Sequence, residues 1–138
     1  MANPREMLYT LILEDDYTTL MAILKAFEKD CLSYHMRILI VTDSLQVEEI
    51  INKSDQDFDL ILLDRDCNIG GTFHILDFDK FDVNKMISIS SVPEFNELAE
   101  EKGVTRTILK DYRYLDKFAE ELMGIIKRDY KDKLHYLD

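Results

Sequence analysis

The apolar positions of this chain fall into five short runs, most of them separated by stretches with helical spacing. Leu8 to Leu13 reads Leu-Tyr-Thr-Leu-Ile-Leu and predicts a strand that ends in three acids, Glu14-Asp15-Asp16. Leu20, Ile23, Leu24 and Phe27 follow at the spacing of a helix with one apolar face, with Thr18 or Thr19 as its cap. Arg37 to Val41 predicts a second strand. Asp43 or Ser44 then caps a helix in which Val47, Ile50 and Ile51 share a face, and Asn52 to Asp57 is a polar turn.

The stretch Phe58-Asp59-Leu60-Ile61-Leu62-Leu63-Asp64-Arg65-Asp66 is the most informative. Its continuous apolar run, Leu60 to Leu63, suits a strand buried on both faces, as in a parallel sheet. The run stops at Asp64. Open parallel sheets bind ligands just beyond the carboxyl ends of their strands, although many such aspartates only start a turn.

Beyond Asp64, Asn68 to Gly71 is a turn signal, Thr72 to Leu76 has room for a short helix, and Asp77 to Asn84 fits neither period. Lys85 to Ile89 predicts a fourth strand, ending in Ser90-Ser91. Ser91 and Glu94 have the spacing of a capping box around Pro93, Phe95, Leu98 and Ala99 are expected to face inward, and Gly103 ends that helix. Val104 to Leu109 predicts a fifth strand, ending at Lys110. Leu115, Phe118, Ala119, Leu122, Ile125 and Ile126 form the strongest helical stripe. The expected class is α/β, a five-stranded parallel sheet with helices on both faces.

With 138 residues the chain is expected to form a single domain, 1–138, with a core over about 8–127 and a C-terminal extension over 128–138. The net charge of -11 opposes adhesion to nucleic acid and to anionic membranes, so neither is expected as a partner. The two cysteines, Cys31 and Cys67, are too few for a disulfide framework and read as reduced thiols. The start lacks the apolar core of a signal peptide, and no run approaches the length of a membrane span, so a cytoplasmic protein is expected.

If strands one, three, four and five are neighbours, then Glu14, Asp15, Asp16, Asp64, Ser90 and Lys110 share one edge of the sheet. Carboxylates gathered there resist joint ionisation, and a divalent cation relieves them; an all-oxygen set suits Mg²⁺. A metal held by Asp15 and Asp64 would also bind a phosphoryl oxygen. Lys110 would neutralise a second oxygen, Ser90 would donate to a third, and Asp64 would accept the group as an aspartyl phosphate.

This ordered set resembles the receiver domain of bacterial response regulators, in its single-domain, chemotaxis-regulator-like form, over about Leu8 to Lys127. The matching stretches are Leu-Ile-Leu-Glu14-Asp15-Asp16, Phe58 to Asp64, Ile87-Ser-Ile-Ser90-Ser91 and Gly103 to Lys110. The resemblance implies a flavodoxin-like sheet of order 2-1-3-4-5 with a third helix that is reduced, because the span from Asp64 to Ser90 is short. It implies Glu14, Asp15, Asp64 and the backbone carbonyl of Asp66 as Mg²⁺ ligands, Asp64 as phosphoacceptor, and Ser90 and Lys110 against the phosphoryl group. A histidine kinase or phosphotransfer protein would be the donor, and a downstream protein the target; a homodimer stays open. Such a protein catalyses its own phosphorylation and dephosphorylation rather than turning over a substrate. The surface built from the fourth and fifth helices, with Glu94, Arg106, Tyr112 and Tyr114, is the contact the resemblance suggests.

The chain departs from the family pattern at Arg65-Asp66-Cys67-Asn68, where Met-Pro is frequent, at Asp111, where Pro is usual, and at Thr107, where an aromatic switch residue is usual. Two alternatives therefore stand beside the phosphorylated receiver. One is a degenerate receiver that binds partners without phosphorylation. The other is a haloacid-dehalogenase-like phosphatase using Asp64 and Asp66, whose Asp-x-Asp form matches Asp64-Arg65-Asp66.

Overall fold

The structure, a computed structural model, describes residues 7–30, 32–66 and 73–134. The Asn68 to Gly71 turn, Thr72, Cys31 and Cys67 lie outside the described residues. Five strands, β1 (Leu8–Leu13), β2 (Met36–Val41), β3 (Leu60–Asp64), β4 (Met86–Ser90) and β5 (Thr107–Leu109), pair in parallel in the order β2-β1-β3-β4-β5. The helices are α1 (Tyr17–Lys29), α2 (Ser44–Gln46, continued by a π turn over Val47–Ile51), α3 (Pro93–Glu101) and α4 (Leu115–Asp129). This is the expected fold class and strand order.

The pleat explains why β3 is apolar without interruption. Leu60 and Leu62 face one core with Ile23 and Phe27 of α1 and Phe118, Leu122 and Ile126 of α4. Ile61 and Leu63 face the other, with Val47, Ile51 and Ala99. On that second face the helix between β3 and β4 is reduced, among the described residues, to 3₁₀ turns at Phe73–Ile75 and Val83–Lys85. Phe73, Leu76 and Phe81 supply the missing apolar cover. The acids between them hold turns: Asp77 accepts from the Asp79 and Lys80 amides, and Asp82 from the Asn84 amide.

Several local expectations are corrected. Asp16, not Thr18 or Thr19, caps α1: its carboxylate accepts from the Thr19 amide at 3.0 Å. Ile50 points outward and is 58% exposed, because the wider π turn keeps only Val47 and Ile51 inside. Ser91 forms no capping box; Val92 occupies the cap position of α3 without a side-chain bond, and the Ser91 hydroxyl is used elsewhere. Asn96 takes the inward position expected of Leu98. It accepts from Ser88 Oγ at 2.8 Å and donates to the Ile108 carbonyl at 2.9 Å, joining α3 to β4 and β5. Gly103 ends α3 with a φ of 104°, as the sequence suggests. β5 is shorter than expected because the chain leaves Gly103 in a helix-terminal turn, Val104 N donating to Ala99 O, before it joins the sheet.

Candidate functional site

The carboxyl ends of β1, β3, β4 and β5 adjoin, and the backbone ladder continues past them. Arg65 N donates to Ile89 O, and Lys110 N donates to Ser90 O, both at 2.7 Å. These bonds set the residues after each strand side by side. Glu14, Asp64, Ser90 and Lys110 are all buried, at 2% exposure or less, and Asp15 is half-buried. The structure therefore brings Glu14, Asp15, Asp64, Ser90 and Lys110 together. Asp16 alone of the first three acids turns away, into the α1 cap.

Lys110 is the hub. Its Nζ lies 3.3 Å from Glu14 Oε1, 3.3 Å from Asp64 Oδ1 and 3.4 Å from Asp66 Oδ2. One cation thus faces three carboxylates, with Asp15 beside them. Burial opposes the Lys110 charge, but Glu14 and Asp64 outweigh it and hold the ammonium well above its ordinary range. The acids show the excess of negative charge. Burial, reinforced by Asp64, pushes Glu14 up to about 9. Burial also raises Asp64, against the opposing pull of its contacts with Glu14 and Lys110.

Glu14, Asp15 and Asp64 each offer an oxygen to one point, with these atoms within 4.8 Å of one another. Asp64 Oδ2 is buried and has no hydrogen-bond donor among the described residues. An oxygen-only set with surplus negative charge and an unsatisfied buried oxygen fits a hard divalent cation such as Mg²⁺.

In the receiver reading Asp66 is expected to contribute its backbone carbonyl, and its side chain has a role only in the phosphatase alternative. Its side chain also enters the site. Asp66 Oδ1 accepts from Ser90 Oγ at 2.6 Å and from Ser91 N at 2.8 Å. Oδ2 accepts from Ser91 Oγ at 3.0 Å and from the Tyr112 hydroxyl. Burial raises Asp66, but the bonds from Ser90, Tyr112 and the Ser91 amide outweigh it, so its carboxyl sits below the ordinary range. Tyr112, which the sequence places only on the suggested contact surface, is also a site residue. The signal was its position two residues beyond Lys110, in the loop that leaves β5. Burial and the bond to Asp66 push its hydroxyl above the usual phenol range.

No family model and no curated protein matches the sequence. Solved structures do match in shape. The phosphorylated cyanobacterial phytochrome response regulator RcpA superposes with a TM-score of 0.67 at 17% identity, covering 88% of this chain and 92% of its own. The receiver domain of the sensor histidine kinase PA1611 from Pseudomonas aeruginosa, solved with a magnesium ion in its active-site cleft, gives 0.58 at 17% identity, with 88% and 96% covered. A CheY-like receiver from Methanospirillum hungatei gives 0.59 at 15% identity, with 94% and 98% covered. The fold is the response-regulator receiver fold.

Within the receiver fold, the suggested contact surface divides. Tyr112 and Tyr114 are each 49% exposed, and Tyr112 reaches the site through Asp66. Arg106 is not on that patch. It precedes β5 at the opposite edge of the sheet, donating to the Asn84 and Met86 carbonyls and to the Tyr130 hydroxyl. No helix among the described residues is long and apolar enough to cross a membrane.

Proposed function

We propose that residues 1–138 form one receiver domain that accepts a phosphoryl group on Asp64 in a Mg²⁺-dependent reaction and signals through its surface. The observation that supports this most is the position of Lys110, in contact with both Glu14 and Asp64 at the buried edge of the sheet. Glu14, Asp15, Asp64 and the Asp66 carbonyl would hold Mg²⁺, which supplies charge neutralisation for the phosphoryl oxygens when bound. A carboxylate oxygen of Asp64 is the nucleophile. Its bond to phosphorus forms as the donor's P–N bond breaks and the leaving imidazole takes up a proton. Lys110 pairs with the transferred group, and the Ser90 hydroxyl donates to it. The donor is the phosphohistidine of a histidine kinase or phosphotransfer protein in the cytoplasm, and the recipient of the signal is a downstream protein.

A phosphatase with Asp66 as general acid is poorly supported. A general acid must hold a proton, whereas the donors around Asp66 favour its ionised form and lower its pKa. The test is binding of beryllofluoride, a phosphoryl mimic, with Mg²⁺. Saturable binding that shifts the amide signals of Asp64, Ser90 and Lys110, and is lost in Asp64→Asn, is the expected result. Absence of binding to the unaltered protein overturns the proposal and leaves the phosphorylation-independent receiver.

A further inference from the structure

Asp66 is held by a set of donors that comes from two parts of the chain. Ser90 Oγ and Ser91 N meet Oδ1; Ser91 Oγ and the Tyr112 hydroxyl meet Oδ2, with Lys110 Nζ 3.4 Å from the same oxygen. The carboxylate is only 7% exposed. Converging hydroxyl, amide and ammonium donors make an anion-binding nest, and charge-assisted bonds of this kind are the strong ones. Asp64 lies two residues away and shares one of these neighbours: its Oδ1 faces Lys110 at 3.3 Å, and the same oxygen accepts from Asp66 N at 3.1 Å.

We propose that the Asp66 side chain is an internal occupant of the site's anion position, so that it and a phosphoryl group on Asp64 exclude each other, with Tyr112 as the latch. The inference rests on the reading of Ser90 and Lys110 as phosphoryl partners. A phosphoryl group attached to Asp64 needs those same two donors. Its negative charge beside an ionised carboxylate in a buried site is repulsive. Asp66 must therefore swing out before Ser90 and Lys110 turn to the new anion. Swinging out breaks the bond from Tyr112. That ring is half exposed and stacks 4.7 Å from Lys110 Nζ, so occupancy of the site is felt at the surface. The docked carboxylate lowers the apparent affinity for any incoming anion by the fraction of time it stays in place.

The test compares the unaltered protein with Asp66→Ala and Tyr112→Phe, each with Mg²⁺ present. Both substitutions leave the Asp66 carbonyl intact, and in Asp66→Ala the Lys110 charge still faces Glu14 and Asp64. Inorganic phosphate is titrated while the Ser91 amide signal is followed by NMR, and labelling of Asp64 by a small acyl phosphate is timed alongside. Removal of an occupant docked nine-tenths of the time tightens phosphate binding about tenfold, with Tyr112→Phe intermediate. Labelling of Asp64 accelerates in the same order. Equal phosphate titrations in the unaltered protein and Asp66→Ala overturn the inference, and if Asp64 is still labelled the receiver function survives. Tighter phosphate binding in Asp66→Ala with no labelling in any variant does the reverse: the occupant stands and the phosphoacceptor reading falls.

Discussion

Lys110 Nζ lies 3.3 Å from Glu14 Oε1, although 96 positions of sequence separate the two residues. Only the sheet joins them. Lys110 follows β5 at one side, Glu14 follows β1 beyond β3 and β4, and both side chains turn into the space above the strand ends. The pair shows what the site is short of: Lys110 must serve Asp64 and Asp66 as well, and one buried ammonium cannot neutralise all three.

Removing that ammonium is therefore costly. Lys110→Met keeps most of the side-chain volume but leaves buried carboxylates uncompensated, a loss of about 3 kcal/mol by analogy with other broken buried pairs. Urea denaturation of the metal-free protein is expected to show a clearly lower midpoint. An unchanged midpoint would mean that the carboxylates do not depend on Lys110.

Stability of the metal-free protein is expected to fall as pH rises. Glu14 sits at about 9 in the folded protein against an ordinary value of 4.5, so between those values the folded state binds more protons than the unfolded one. Stability then decreases with pH across that window. Asp64, also raised, acts in the same direction. Chemical denaturation at pH 5.5, 7 and 8.5 is expected to give a steady decline, flattened in Glu14→Gln. A rise over this range contradicts the crowding of acids.

Magnesium should reverse the penalty. An ion that binds the folded cluster and not the unfolded chain stabilises by about 2.7 kcal/mol at a hundredfold excess over its dissociation constant. Mg²⁺ is expected to raise the melting temperature of the unaltered protein. Asp64→Asn should melt higher than the parent without metal, through reduced repulsion, and gain little from Mg²⁺. A metal-free Asp64→Asn that melts lower than the parent runs against the account.

What was legible in the sequence follows from what each signal measures. The strand β3 was readable because burial on both faces leaves an unbroken apolar run, Leu60 to Leu63, and the order of acids, Asp64, Ser90 and Lys110 along the chain marked the strand ends. The caps were harder. Asp16, Thr18 and Thr19 all suit the start of α1, and only the backbone geometry selects Asp16. Asn96 was passed over because a polar residue inside a helix face gives no hydropathy signal; its place is earned by two bonds that join β4 to β5. The bonds of Ser91 and Tyr112 in the site are not legible in the sequence for a common reason. Their partner is the side chain of Asp66, and sequence spacing carries no information about which way a loop carboxylate turns.

The Asn96 bridge makes its own prediction. Asn96→Ala leaves the buried Ser88 hydroxyl without its acceptor and removes the side-chain donor to the Ile108 carbonyl, at a cost of about 1–3 kcal/mol. Denaturation with urea is expected to show that loss without a change in slope. A neutral result would mean that water replaces the amide in the core.

The most direct measurement is the Mg²⁺-dependent transfer of a phosphoryl group from a small acyl phosphate to the protein, followed by intact mass and by mapping of the modified residue. The account predicts one phosphoryl group per chain, on Asp64, lost on chelation of Mg²⁺ and absent from Asp64→Asn. No transfer under saturating donor and metal, or modification that persists in Asp64→Asn, would contradict it.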